Sequence, residues 1–134
     1  MHRGSCLCGA VQFEVAGPLK PPDACHCTQC RKTSGHFFVS TDVPKSAVTI
    51  YGKERLSWYQ NSDKARRGFC STCGSSLFWE PVHHDFLGIA MGAFEAPTNT
   101  HIHLHIFVAN KGDYYDIADG RPQYQQTPLS SEPA

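Results

Sequence analysis

Apolar and polar residues alternate along much of the chain with a period of two, which predicts β-strands. The clearest run lies near the N-terminus, where Val11, Phe13 and Val15 alternate with Gln12 and Glu14. Further strands are predicted at 36–43, 46–51, 56–60, 65–69, 76–80, 86–93 and 101–108. Helical periodicity extends over no more than about two turns, and a short helical piece is predicted after Cys27. The pattern therefore predicts a mainly β protein.

The length sets the expected organisation. The chain has 134 residues, and domains typically contain about 100–150. We predict one domain over residues 1–124 and a flexible tail over 125–134, where Gln, Pro and Ser predominate.

No apolar run approaches the roughly 20 residues of a membrane span, and no N-terminal stretch joins a basic start to an apolar core. A cytoplasmic protein that does not bind a membrane is expected.

The composition argues against some classes of function and favours metal binding. Twelve Lys and Arg residues balance twelve Asp and Glu residues, which argues against a nucleic-acid partner. The hydrophobic fraction of 40% excludes a largely disordered protein. The unusual numbers are seven cysteines and eight histidines. An odd number of cysteines in a chain with no recognised signal peptide is poorly explained by disulfides, so metal binding is the better interpretation.

The cysteines fall into three blocks along the chain: Cys6 and Cys8; Cys25, Cys27 and Cys30; Cys70 and Cys73. Residues two apart in a strand share a face, so the first pair is expected to present both sulfurs to one ion. The last pair, followed by Gly74, is expected to form a tight turn of a hairpin in which the glycine takes a positive φ. Joined, the two pairs predict a closed four-sulfur site with a structural role.

The middle block offers three cysteines within six residues: Cys25, Cys27 and Cys30. Three protein ligands and one open position are the usual pattern of catalytic zinc, which polarises a carbonyl or holds a substrate thiol as thiolate. The alternatives are a second structural site completed by a histidine and an iron–sulfur cluster. The expected cofactor is two zinc ions.

The histidines and aromatic residues near the middle block suggest how a pocket would be built. His26 lies between two ligands and is expected to point away from the metal, whereas His36 is expected to line the pocket. Apolar walls are expected from Phe37, Phe38 and Trp58. The remaining histidines are predicted on polar or exposed positions, with His101 and His103 on the polar face of a strand and His83 and His84 in a loop.

Basic residues flank one predicted hairpin: Lys53, Arg55, Lys64, Arg66 and Arg67. They are interpreted either as a solvated face or as a cationic rim for the carboxylates of a small acidic ligand. Arg31 and Arg66 are the candidates for such contacts.

Three segments carry a family resemblance: 4–9 (GSCLCG), 25–32 (CHCTQCRK) and 69–74 (FCSTCG). They resemble the glutathione-dependent formaldehyde-activating enzyme family, which also includes the domain of centromere protein V. The later segment 105–108 (HIFV), with Lys111, Asp119 and Gly120, is similar too. The resemblance covers roughly residues 3–124.

The resemblance implies an Mss4-like, or β-tent, fold of small twisted antiparallel sheets around zinc. It assigns Cys6, Cys8, Cys70 and Cys73 to a structural zinc, and Cys25, Cys27 and Cys30 to a catalytic zinc. The implied activity is that of a carbon–sulfur lyase making S-(hydroxymethyl)glutathione from glutathione and formaldehyde. The alternative is a non-catalytic zinc module that binds a protein or a small thiol. Family members often carry Trp in the C-terminal β region, where this chain has Phe107, Tyr114 and Tyr115.

Overall fold

A computed structural model describes residues 1–128 of the chain and shows a mainly β fold, as predicted. In the described part there are ten strands and one α-helix: β1 His2–Ser5, β2 Gln12–Val15, β3 Asp23–Cys25, α1 Thr28–Ser34, β4 Phe38–Pro44, β5 Val48–Tyr51, β6 Leu56–Gln60, β7 Ala65–Cys70, β8 Ser76–Pro81, β9 Phe86–Ala90 and β10 Leu104–Ile106. Residues 129–134 of the predicted tail lie outside the described residues. Over the described part, no helix has the length and apolar character needed to cross a membrane.

Two compact units make up the structure. The first contains Met1–Lys20 and Thr41–Asn99, and the second contains Pro21–Ser40 and the described residues from Thr100 onward. The cysteines of the first and last blocks lie in the first unit, whereas the three cysteines of the middle block lie in the second. The prediction of one domain over residues 1–124 stays a prediction.

The first unit is built on an aliphatic and aromatic core. β1, β2 and β5 form an antiparallel sheet, while β6, β7, β8 and β9 are antiparallel neighbours. The alternation predicted for β2 is confirmed, since Val11, Phe13 and Val15 are fully buried. The ring of Phe13 packs edge-on against Phe78 and Phe94, with centroids 5.6 and 5.2 Å away. Each such buried side chain contributes roughly 1.5–3 kcal/mol.

The second unit is smaller, and two of its buried side chains are histidines. β3 pairs with β10 in parallel and with β4 antiparallel. Its buried residues include Ala24, His26, Cys30, Phe38 and His105. Every one of these lies in or beside the segments that carry the middle cysteine block. His26 and His105 are hydrogen-bonded to each other, so this unit buries paired polar groups as well as apolar ones.

Strand boundaries differ from the sequence prediction where caps and turns intervene. The strand predicted at 36–43 begins only at Phe38, because α1 ends at Gly35 in the left-handed conformation, with φ 86°. The strand predicted at 101–108 is reduced to Leu104–Ile106, the three residues that pair with β3. The pattern missed β1 and β3, which are short and carry no apolar alternation. The helical piece predicted after Cys27 is confirmed as α1.

Candidate metal centres

Four cysteine side chains converge in the first unit. Cys6 and Cys8 follow β1, Cys70 ends β7, and Cys73 lies in the turn before β8. Their Sγ atoms all lie within 4.8 Å of one another, and that of Cys8 is 3.7 Å from Cys6 Sγ and 3.8 Å from Cys70 Sγ. Sulfurs around a tetrahedral zinc, with Zn–S bonds of about 2.3 Å, are about 3.8 Å apart, whereas disulfide sulfurs are about 2.05 Å apart. The spacing fits a metal ion and excludes a disulfide between these sulfurs.

The first cysteine pair is brought together by a turn. Cys6 N–H donates to the Val11 carbonyl at 3.0 Å, and Gly9 N–H donates to the Cys6 carbonyl at 3.2 Å. Gly9 takes φ 80°, a left-handed conformation that glycine adopts without strain. The expectation that Cys6 and Cys8 share one strand face is wrong, because β1 ends at Ser5. The sulfurs nevertheless converge, since the turn reverses the chain around them.

The second cysteine pair lies in the tight hairpin turn that the sequence predicted. β7 and β8 pair antiparallel on either side of it. Gly74 N–H donates to the Cys70 carbonyl at 2.8 Å, and Cys70 N–H donates to the Ser75 carbonyl at 3.0 Å. Gly74 has φ 80°, as predicted.

Ser75 was not singled out from the sequence, yet it links the two cysteine pairs. Its hydroxyl accepts a hydrogen bond from Leu7 N–H at 3.0 Å and lies 3.2 Å from Cys73 Sγ. The hydrogen bond from the Ser75 hydroxyl is the largest of several, with those from the backbone of Cys8 and Ser75, that together lower the pKa of the Cys73 thiol to about 5. The backbone N–H of Cys73 likewise lowers the pKa of Cys70. Both sulfurs are thereby biased toward the thiolate form that binds metals.

The three-cysteine cluster lies where β3 passes into α1. Cys25 ends β3, Cys27 is the N-cap of α1, and Cys30 is the buried residue of that helix. Their Sγ atoms also lie within 4.8 Å of one another. Cys27 Sγ accepts the Cys30 N–H at 3.3 Å, so the sulfur occupies the place of the oxygen in a common helix cap.

The three thiols do not share protons equally. Hydrogen bonds from the Cys25 and Cys30 thiols, together with the Cys30 N–H, lower the pKa of Cys27. The same contacts and burial raise the pKa of Cys25. Of these two sulfurs, Cys27 is the one biased toward the thiolate form that binds metals. Three sulfurs so close together can hold a metal ion.

The segment 110–115 holds the three-cysteine block at three points. The Tyr115 hydroxyl hydrogen-bonds to His26 Nδ1 before the helix. Arg31 Nη1, within the helix, donates to the Asn110 carbonyl at 3.0 Å. The Tyr114 hydroxyl lies 2.5 Å from His36 Nδ1 after the helix. The stretch from His26 to His36, which includes α1, is thus fixed before, within and after the helix. The sequence had marked both tyrosines only as replacements for the family's Trp.

His26 lies at the centre of this arrangement. Its Nε2 is 2.9 Å from His105 Nδ1, and His105 Nε2 is 2.7 Å from Asp119 Oδ2. His26 has no exposed surface, and burial lowers its pKa to about 4. Both ring nitrogens are thus engaged by Tyr115 and His105 rather than by the cysteines. Sequence reasoning did not single out the contacts of His105 or Asp119, because they depend on the β3–β10 pairing.

Other histidines and the basic residues have simpler environments. His83, His84 and His101 are exposed, and His103 Nε2 lies 2.6 Å from Asp23 Oδ1 at the surface. The five flanking basic residues all lie in the first unit. There Arg66 stacks over the Trp58 ring at 3.9 Å and pairs with Glu80 at 2.6 Å. Arg67 is largely buried and donates to Asn61 Oδ1 at 3.0 Å. The structure assigns these two arginines to contacts within that unit.

Comparisons with known proteins find similarity over most of the chain. Residues 1–110 match the family model described as glutathione-dependent formaldehyde-activating enzyme. A Halomonas elongata protein, whose name assigns it provisionally to that enzyme, is 31% identical over 127 residues, covering 85% of this chain and 79% of that protein. A Schizosaccharomyces pombe protein named only as an uncharacterized lyase is 27% identical over 120 residues, covering 88% of this chain and 86% of that protein.

A solved structure shares the fold. It is the crystal structure of a Rhodobacter sphaeroides protein, a structural genomics target, and it superposes with a TM-score of 0.61 at 23% sequence identity. The match covers 75% of this chain and 98% of that chain.

Proposed function

Because the chain belongs to the glutathione-dependent formaldehyde-activating enzyme family, we propose that it is a zinc-dependent carbon–sulfur lyase. Its substrates are glutathione and formaldehyde, or a related thiol–aldehyde adduct. In this chemistry the thiol sulfur adds to the carbonyl carbon, the thiol gives up its proton, and the carbonyl oxygen takes one up. The observation that supports the proposal is the three-sulfur cluster of Cys25, Cys27 and Cys30, which can hold an ion with a position left for a ligand.

The two cysteine clusters take different roles in this proposal. Cys6, Cys8, Cys70 and Cys73 hold a structural zinc, since four sulfurs complete a tetrahedron. Cys25, Cys27 and Cys30 hold the catalytic zinc. When bound there, zinc supplies a positive charge that favours a thiolate and polarises a carbonyl. The protein's own part is to keep the three sulfurs in place, through the cap at Cys27 and the contacts of segment 110–115.

A second candidate is a non-catalytic zinc module that binds a small thiol or a protein. One observation favours it. His26, the histidine nearest in sequence to the cluster, uses both ring nitrogens for hydrogen bonds inside the protein. An imidazole so engaged is poorly placed to act as a general base toward a substrate.

A turnover assay distinguishes the two candidates. Zinc-loaded protein is mixed with formaldehyde and glutathione, and adduct formation is followed against a reaction without protein, because the adduct also forms spontaneously. The lyase proposal expects a rate above that background, lost in Cys30→Ala. His84→Ala is a matched control, since this histidine is exposed and lies in the other unit. A background rate with wild type, together with tight glutathione binding, would support the binding module instead.

A further inference from the structure

Four side chains of the second unit form an unbroken row of hydrogen bonds: Asp119, His105, His26 and Tyr115. The contacts run from Asp119 Oδ2 to His105 Nε2, from His105 Nδ1 to His26 Nε2, and from His26 Nδ1 to the Tyr115 hydroxyl. Each imidazole uses both of its nitrogens. We call these four residues the Asp119–Tyr115 row.

The chemistry of one end determines where every proton in the row lies. An ionised carboxylate only accepts hydrogen bonds, so His105 must donate to Asp119 from Nε2. A neutral imidazole carries one N–H, which leaves His105 Nδ1 as an acceptor. His26 must then donate from Nε2, and its Nδ1 must accept the proton of the Tyr115 hydroxyl. The row is therefore ordered from the tyrosine toward the carboxylate.

Burial gives water little access to the ring nitrogens of the two histidines in the middle of the row. His26 has no exposed surface and His105 is 3% exposed, whereas the Asp119 side chain is 40% exposed. Over the described residues, no buried side-chain nitrogen or oxygen is left without a hydrogen-bond partner. The Asp119 carboxylate is also held ionised, because the Arg121 N–H and His105 lower its pKa. The acceptor that sets the order thus stays anionic.

We propose that Asp119 is a positioning residue that fixes the tautomers of His105 and His26 and so turns the Tyr115 hydroxyl proton toward His26. The phenol oxygen then keeps its lone pairs as an acceptor for a ligand that donates a hydrogen bond, such as the hydroxyl of a thiol–aldehyde adduct. This ligand class rests on the function proposed above, whereas the proton order does not.

A second histidine–carboxylate pair provides the internal control. His103 and Asp23 make the same kind of contact, at 2.6 Å, in the same unit. Their side chains are 46% and 40% exposed. Asp23→Asn therefore removes a carboxylate from a histidine of the same segment without touching the row.

The proton order is tested by long-range ¹H–¹⁵N NMR of the zinc-loaded full chain at pH 8, which reports the tautomer of each histidine. We expect His26 and His105 both to carry the proton on Nε2. In Asp119→Asn, the amide can donate as well as accept, so at least one of the two histidines should gain an Nδ1–H population. Asp23→Asn should leave both unchanged. An Nδ1–H on either ring of the wild type, or an unchanged pattern in a folded Asp119→Asn, would overturn the proposal.

Tyr115→Phe keeps the test decisive where Asp119→Asn fails to fold. If the carboxylate sets the order, His26 and His105 keep their Nε2–H tautomers without the phenol. If the two histidines instead carried their protons on Nδ1 in Tyr115→Phe, the tyrosine rather than the carboxylate would set the tautomers. That result would contradict the proposal. A merely structural role for Asp119 would alter stability but predicts no tautomer change.

The ligand half of the proposal is tested by affinity. S-(2-hydroxyethyl)glutathione carries a hydroxyl, and S-ethylglutathione is its matched probe without one. In Tyr115→Phe, the affinity for the hydroxyl ligand should fall roughly two- to ten-fold, the size of one hydrogen bond, while the ethyl ligand is unaffected. An equal change for both would refute the acceptor role of Tyr115. Failure of both ligands to bind wild type would contradict the ligand half alone, because neither probe carries the free thiol on which the proposed function depends, and would leave the NMR result and the turnover assay standing.

Discussion

The two cysteine clusters are embedded in opposite surroundings. Cys6 and Cys70 of the four-cysteine cluster are buried among the apolar residues of the first unit, in the same hydrophobic cluster as Phe13 and Leu77. The three-cysteine cluster lies in the second unit. There His26, which lies between Cys25 and Cys27 in the sequence, is buried. One cluster is part of an aliphatic core, and the other is surrounded by hydrogen-bonded polar and aromatic side chains.

This difference teaches how each cluster is tied to folding. The four cysteines join segments more than 60 residues apart, so a metal there closes a long loop and stabilises the fold. The three cysteines lie within six residues and close no long loop. Their positions depend on a helix cap and on contacts with segment 110–115. Losing a metal from the second cluster should therefore cost less stability than losing one from the first.

The largest expected effect is on stability, and it comes from a substitution in the four-cysteine cluster. Cys73→Ser removes one ligand from the closed cluster and should lower the free energy of unfolding by several kcal/mol, or prevent folding. Cys27→Ser should cost much less, because a serine oxygen replaces the Cys27 sulfur as a good N-cap for α1. Thermal melts of the two purified zinc-loaded variants measure the difference. A lower melting temperature for Cys27→Ser would contradict the division between the clusters.

The next largest effect is expected in the number of zinc ions that the protein retains after chelation. The protein should bind up to two zinc ions, and mild chelation should leave about one, held by the four-cysteine cluster. Elemental analysis before and after chelation measures this, with circular dichroism to confirm that the fold is kept. Cys30→Ala, analysed in parallel, should start with about one ion and lose little. Equal loss of both ions from intact wild-type protein would show that the clusters are equivalent.

Binding of a thiol tests the three-cysteine cluster directly. Glutathione should bind the zinc-loaded protein with release of a proton, because the cation favours the thiolate. Its affinity should therefore weaken as pH falls, by up to about ten-fold per pH unit. Calorimetry in buffers of different ionisation enthalpy measures the proton, with His84→Ala as the matched control. Equal binding to wild type and Cys30→Ala, without proton release, would contradict an accessible zinc at this cluster.

The sequence was informative where local chemistry decides the outcome. Cysteine spacing was enough to predict both groups, and the alternation of Val11, Phe13 and Val15 predicted their burial. Gly74 was predicted in a positive-φ turn because a tight Cys-x-x-Cys turn favours it there. Within each cysteine block, and within the alternating run of β2, the deciding residues lie within a few positions of one another.

Long-range pairing decides what the sequence could not predict. The segment 105–108 was singled out only as similar to the family, and the contact of His105 with His26 depends on the pairing of β10 with β3. Asp119 and Tyr115 reach the same row from a segment without regular structure. Cys6 and Cys8 were expected on one strand face because they are two residues apart, whereas β1 ends at Ser5 and the chain turns there. Such contacts depend on register, which hydrophobic pattern alone does not determine.

The smallest expected effect concerns the hydroxyl of Ser75, which contacts Cys73 Sγ and Leu7 N–H. Ser75→Ala should lower the zinc affinity of the four-cysteine cluster roughly ten-fold, the lower end of what groups supporting metal ligands contribute. Ser71→Ala is the matched control, because this serine lies in the same turn but donates to the Arg55 carbonyl at 2.7 Å. Competition with a coloured zinc chelator measures both affinities. Equal losses in the two variants would refute a specific effect on sulfur.

The same substitution has a pH signature in the metal-free protein. The Ser75 hydroxyl is the largest of the contacts that together lower the pKa of Cys73 to about 5 in the fold, whereas an unfolded cysteine has a pKa of about 8.5. A depressed pKa stabilises the fold above the unfolded value, and that contribution is lost as pH falls toward the folded value. The difference in melting temperature between wild type and Ser75→Ala should therefore be largest near pH 9 and shrink steadily toward pH 5. A constant difference across this range would mean that Ser75 acts through its Leu7 contact alone, and that the Cys73 sulfur is indifferent to it.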